Sequence, residues 1–158
     1  MAILDFPELE HVGFVFTDRG TPIPADRRPL WRIGIVAFLL AECSRGQKSS
    51  LVRLHVLDWA TRSVESRTDL LAFIDDHHHN VVIRYDPSLL RAIRFGVAEG
   101  MFEIDGKNVK LVSLGVQFAK EIANDPAIFS QEREFLTRLG KQLTERLVDQ
   151  LVPRQEVL

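Results

Sequence analysis

Asp75-Asp76-His77-His78-His79 is a run of five residues that are all able to ligate a metal. Imidazole and carboxylate suit zinc or nickel, but sequence neighbours cannot all turn onto one ion from a helix or a strand. Metal sites draw instead on spaced pairs on one face, completed by distant ligands. The run reads as a solvated turn, and no metal is expected at His77, His78 or His79. Arg45-Gly46-Gln47-Lys48-Ser49-Ser50 has some of the composition of a phosphate-binding loop. That motif needs adjacent Gly and Lys, an earlier Gly and a preceding strand. Here Gln47 separates Gly46 from Lys48, and Ala41 stands where the earlier Gly belongs. The loop is explained by ending one helix and capping the next. Cys43, beside Glu42 in an apolar stretch and without a spaced His, reads as a buried small hydrophobe. Without a Gly-x-Ser-x-Gly elbow, a His-Glu-x-x-His helix or a dinucleotide fingerprint, neither catalytic residues nor cofactors are expected.

Basic residues around one aromatic offer a different chemistry. Residues 86–112 read DPSLLRAIRFGVAEGMFEIDGKNVKLV, a capped helix running into a hairpin. Asp86 is the expected N-cap, Pro87 the first helical residue and Gly100 the stop. Leu90, Ile93 and Val97 form the expected buried stripe. Met101–Ile104 and Val109–Val112 flank the turn Asp105-Gly106-Lys107-Asn108, a strong hairpin signal. Arg91, Arg94 and Phe95 then point away from the stripe, with Lys107 at the hairpin tip and Lys110 on its return strand. A helix followed by a tight β-ribbon is how a winged helix-turn-helix ends, so these five residues form an expected contact face for DNA or a protein partner.

The totals limit what such a face can do. The chain has 158 residues, 46% of them apolar, net charge −2 and pI near 6.2. It can bury a core, but it does not coat nucleic acid by bulk charge, so any nucleic-acid contact is local. A single cysteine excludes an internal disulfide and fits a reducing cytoplasm. Asp5, Glu8 and Glu10 stand where a secretory signal would be apolar. Leu30–Cys43 is apolar except for Arg32, Gly34 and Glu42, too short for the roughly 20 apolar residues of a membrane span. It reads as a buried central helix.

The expected fold is α+β and mostly helical, a winged helix-turn-helix core with an N-terminal arm and a long C-terminal helix. Residues 1–28 form the arm, with a short strand at His11–Phe16; residues 29–125 form the winged domain; residues 126–158 form an amphipathic helix and tail. A helix capped by Ser49 or Ser50 should run to about Arg62, with Asp58 and Arg62 as a helical ion pair on a polar face that also holds His55. A third helix is expected over Thr68–Asp75, a strand over Asn80–Tyr85 and a helix from a Ser113 cap to about Ala123. One continuous helix is expected over Ile128–Leu151. Its stripe of Phe135, Leu139, Leu143, Leu147 and Leu151 is suited either to the chain's own core or to a partner interface.

RPLWRIGIVAFLLAECSRGQKSSLVRLHVLDWATRS (28–63), followed by VVIRYDPSLLRAIRFGVAEGMFEI and KLVSLGVQFAKEI, resembles the middle components of bacterial three-component ABC systems, best known from Lamassu-type anti-phage defence. The resemblance spans about residues 28–150. Its most specific positions are Arg45, Gly46, Lys48, His55 and Trp59, while Leu111-Val112-Ser113-Leu114-Gly115 is a variant of the turn that opens the helix after the wing. It implies a non-catalytic cytoplasmic adaptor joining an SMC/Rad50-like ABC ATPase to an effector, often a nuclease, with possible DNA contact inside the complex and no membrane. The alternative from the residues alone is a free-standing dimeric winged-helix transcription regulator.

Overall fold

In the computed structural model, residues 28–152 are described. The arm at 1–27, its expected strand at His11–Phe16 and the tail beyond 152 lie outside them. The elements run α1 (Pro29–Glu42), a 3-10 turn (Arg45–Gln47), β1 (Lys48–Ser50), α2 (Leu51–Thr61), α3 (Val64–Asp75), α4 (Pro87–Ala98), β2 (Phe102–Asp105), β3 (Asn108–Leu111), α5 (Ser113–Asn124), α6 (Ser130–Leu139) and α7 (Glu145–Leu151). The class is α+β and mostly helical. No helix among the described residues is long and apolar enough to cross a membrane.

α1 is the centre. Every residue from Arg32 to Leu40 is buried, because α2, α4, α5, α6 and β3 all pack on it. A helix this apolar all round is stable only when enclosed in this way. Gly34 lets α6 approach: a Cβ there would sit 3.1 Å from the Phe129 ring, which meets Trp31 edge-on with centroids 5.3 Å apart.

The sheet is antiparallel with order β1-β3-β2. Asp105 pairs with Asn108, so Gly106-Lys107 is a two-residue loop, and Gly106 supplies its positive φ of 59°. β3 turns Val109 and Leu111 inward and Lys110 outward, the period of a half-buried strand. β1 is not visible in the sequence. Lys48-Ser49-Ser50 carries no β-branched or aromatic residue, and its strand state comes from pairing with Lys110, Val109 and Asn108.

Four expectations are corrected. Asn80–Tyr85 is not a strand and carries no regular secondary structure, since Val81, Val82 and Ile83 have no strand to pair with. The third helix begins at Val64 instead of Thr68, because the Ser63 hydroxyl accepts from the Ser66 amide and caps it earlier. α5 has Val112 at its N-cap with no side-chain cap, so Ser113 is its first residue. The C-terminal helix is two helices. Gly140, at φ +50°, ends α6, and Thr144 accepts from the Leu147 amide to start α7.

That break decides the fate of the leucine stripe. Phe135, Leu139 and Leu143 are buried in the chain's own core, while Leu147 and Leu151 are partly buried against it. The turn folds Leu143 back inside, so the stripe is not one open face.

Candidate functional site

Asp86 opens α4 as expected, accepting from the Ser88 amide at 2.9 Å. The buried side of α4 is Leu89, Ala92, Ile93 and Gly96, one residue off the expected stripe, with Leu90 and Val97 only partly buried. Gly96 is required there because a Cβ would lie 2.3 Å from the Phe102 ring of β2. That close approach fixes the angle between α4 and the hairpin. Arg91, Arg94 and Phe95 are left on the outer side, Phe95 with half of its surface (51%) in solvent.

Lys107 and Lys110 are also exposed. None of Arg91, Arg94, Lys107 and Lys110 has an ion pair within 4.0 Å among the described residues. Lys110 lies between Glu103 on β2 and Lys48 on β1, each directly opposite it. An exposed aromatic beside unpaired cations resembles the composition of a protein contact surface, where aromatic and Arg side chains carry most of the binding energy.

Behind α4 lies a charge network of which only the Asp58–Arg62 pair was expected. Arg32 Nη1 donates to Asp58 at 3.2 Å and Nη2 to Asp86 at 2.7 Å, while Arg62 donates to Asp58. Asp58 is 1% exposed, so this face of α2 turns onto α1 and α4 rather than into water. Burial pushes the Asp86 carboxyl up, but the Ser88 hydrogen bonds with Arg32 and Arg62 outweigh it and hold it below its ordinary value. The sequence signal for this network was a single arginine inside an otherwise apolar helix.

A second polar centre surrounds Arg53, which sequence reasoning passed over. Nε donates to the Leu143 carbonyl at 2.6 Å, Nη1 to the Ser44 and Ser49 hydroxyls at 2.8 and 3.2 Å, and Nη2 to the Cys43 carbonyl. Next to it, Glu145 of α7 accepts from the Ser50 amide at 3.0 Å and the Ser50 hydroxyl at 2.7 Å. Ser50 in turn caps α2 through the Arg53 amide. Glu145 thus completes a capping box that is normally closed within one helix.

The remaining candidates do not converge on a reactive centre. His77 and His78 are exposed, and His79 lies 3.4 Å from Asp69. Among the described residues, no three His, Cys, Asp or Glu side chains are grouped to hold a metal. Burial pushes the Cys43 thiol up to about 11, which keeps it protonated and poorly nucleophilic. His55 is held below its usual value by burial, with Asp58 opposing, and its ring meets Tyr85 edge-on at 4.8 Å. Compared with protein families, curated proteins and solved structures, the chain matches none of them.

Proposed function

We propose that this chain is a winged-helix adaptor that docks a protein partner through the outer side of α4. The order α1, β1, α2, α4, β2, β3 with sheet order β1-β3-β2 supports the winged-helix reading, with α3 and the 76–86 connection inserted ahead of α4. In that fold the helix before the hairpin is the one presented to a ligand.

The observation that carries the docking reading is Phe95, half exposed and one helical turn from Arg91. A duplex reader places hydrogen-bonding side chains at this position to read base edges, whereas a large apolar ring fits a pocket on a protein. With the resemblance of residues 28–63, this supports an SMC-like ABC ATPase as partner and an effector subunit as the element it controls. The cell compartment implied is the cytoplasm.

Expression of a tagged copy with its chromosomal neighbours tests the reading. An ABC ATPase retained in stoichiometric amount supports it. Recovery of the chain as a lone dimer that binds one palindromic duplex at nanomolar concentration identifies a transcription regulator instead.

A further inference from the structure

We propose that the cleft between β1 and the segment joining α6 to α7 seats a backbone phosphate of nucleic acid. The cleft itself lies apart from the outer side of α4, and the strip leading from it reaches that side only through Lys107 and Lys110 of the hairpin.

The cleft has a volume of about 330 Å³ and is lined by Arg45, Lys48, Arg53 and Lys141, with Glu145 as its sole carboxylate and Asn108 at its edge. Four cations face one anion, and that anion is already engaged by the Ser50 amide and hydroxyl. Arg53 is only 5% exposed and has no carboxylate within ion-pair distance among the described residues. Its bonds go to neutral carbonyls and hydroxyls, which satisfy its donors without cancelling its charge. Glu145 offsets part of that charge without forming an ion pair, and the exposed Arg45, Lys48 and Lys141 leave the cleft positive.

The same bonds make the site rigid. Arg53 ties together the end of α1 at Cys43 and Ser44, β1 at Ser49 and the 140–145 segment at Leu143. Arg45, Lys48 and Lys141 stand exposed around that fixed floor. Lys48 also faces Lys110 directly across the sheet, with Glu103 on the far side of Lys110, so this row holds two cations and one carboxylate and keeps a net positive charge. Lys110 and the exposed Lys107 carry the positive strip from the cleft along β3 to the hairpin loop. A single small anion needs only the cleft, whereas the strip suits a repeating polyanion.

Fluorescence anisotropy of a labelled duplex of mixed sequence, titrated with the full chain across a salt series, tests this. Lys48→Gln combined with Lys141→Gln is expected to weaken binding about tenfold at low salt. It should also make the log–log salt slope shallower by roughly two, one for each lost phosphate contact. Lys120→Gln with Arg84→Gln removes the same charge elsewhere and should change affinity less than about twofold. Because all four residues are exposed, thermal melting of each variant should match the parent. The proposal fails if the parent does not bind the duplex, or if both double variants lose affinity equally. It also fails if the loss follows Arg91→Gln with Arg94→Gln instead, or if inorganic phosphate binds in calorimetry and the duplex does not.

Discussion

Arg32, in the first turn of the apolar helix α1, donates to one carboxylate oxygen of Asp86 at 2.7 Å, while the other oxygen accepts from the Ser88 amide and caps α4. The central helix is therefore joined by an ion pair to the start of the helix that carries Phe95. With Asp58, which also accepts from Arg32 and Arg62, the pair forms a network that orients α4 on the core.

Removing Asp58 should damage this network most. Asp58→Ala leaves the buried Arg32 guanidinium without its α2 partner and should cost about 3–5 kcal/mol in urea unfolding. Arg62→Ala, whose side chain is 28% exposed, should cost about 1 kcal/mol or less. Equal costs for the two would show that the cluster is not organised around Asp58.

The contacts of two glycines predict different outcomes for the same substitution. A Cβ at Gly115 would lie 2.1 Å from the Met101 carbonyl oxygen, which is backbone, whereas at Gly96 it would meet the Phe102 ring at 2.3 Å. Rings can turn and a hairpin backbone cannot do so cheaply. Gly115→Ala should cost about 3 kcal/mol or more and Gly96→Ala about 1–3 kcal/mol. Gly96→Ala should in addition tilt α4 and weaken partner retention. A larger cost at Gly96 would contradict the contacts.

Acid should destabilise the fold in a defined window through His55. Burial holds its folded value below 6.5, so the unfolded chain takes up the proton first as pH falls. The stability contribution is complete above 6.5 and is lost as pH falls from there through the folded value. Asp86, also lowered on folding, adds a loss only below its ordinary 3.8. Urea midpoints measured from about pH 8 to about pH 5 should decline in the parent and stay level in His55→Phe, which keeps a ring against Tyr85. An equal decline in both would remove His55 as the cause.

Elements with local signals were legible in the sequence. Asp86-Pro87 and Gly100 bracket α4, Ser50 caps α2, and Asp105-Gly106 turns the hairpin, because each depends on residues a few positions apart. Lys48–Ser50 and Asn80–Tyr85 were misread for one reason: strand formation needs a partner, which β3 gives to a polar triplet and nothing gives to Val81-Val82-Ile83. Gly140 and Thr144 were local signals for the break between α6 and α7, masked by the four-residue spacing of the leucines. Of the outer-face residues, Arg91, Arg94, Phe95, Lys107 and Lys110 were legible from periodicity. The Arg53 cleft was not, because its walls come from segments about ninety residues apart.

Retention of the ATPase by Phe95→Asp, in cells expressing the tagged chain with its chromosomal neighbours, tests the docking role most directly. Phe95 is half exposed and outside the core, so the variant should fold and melt like the parent. The parent should retain the ATPase, and Phe95→Asp should lose it by at least about tenfold, the loss of one aromatic anchor. Equal retention by the two chains, or no ATPase with the parent, would contradict an adaptor that docks through α4.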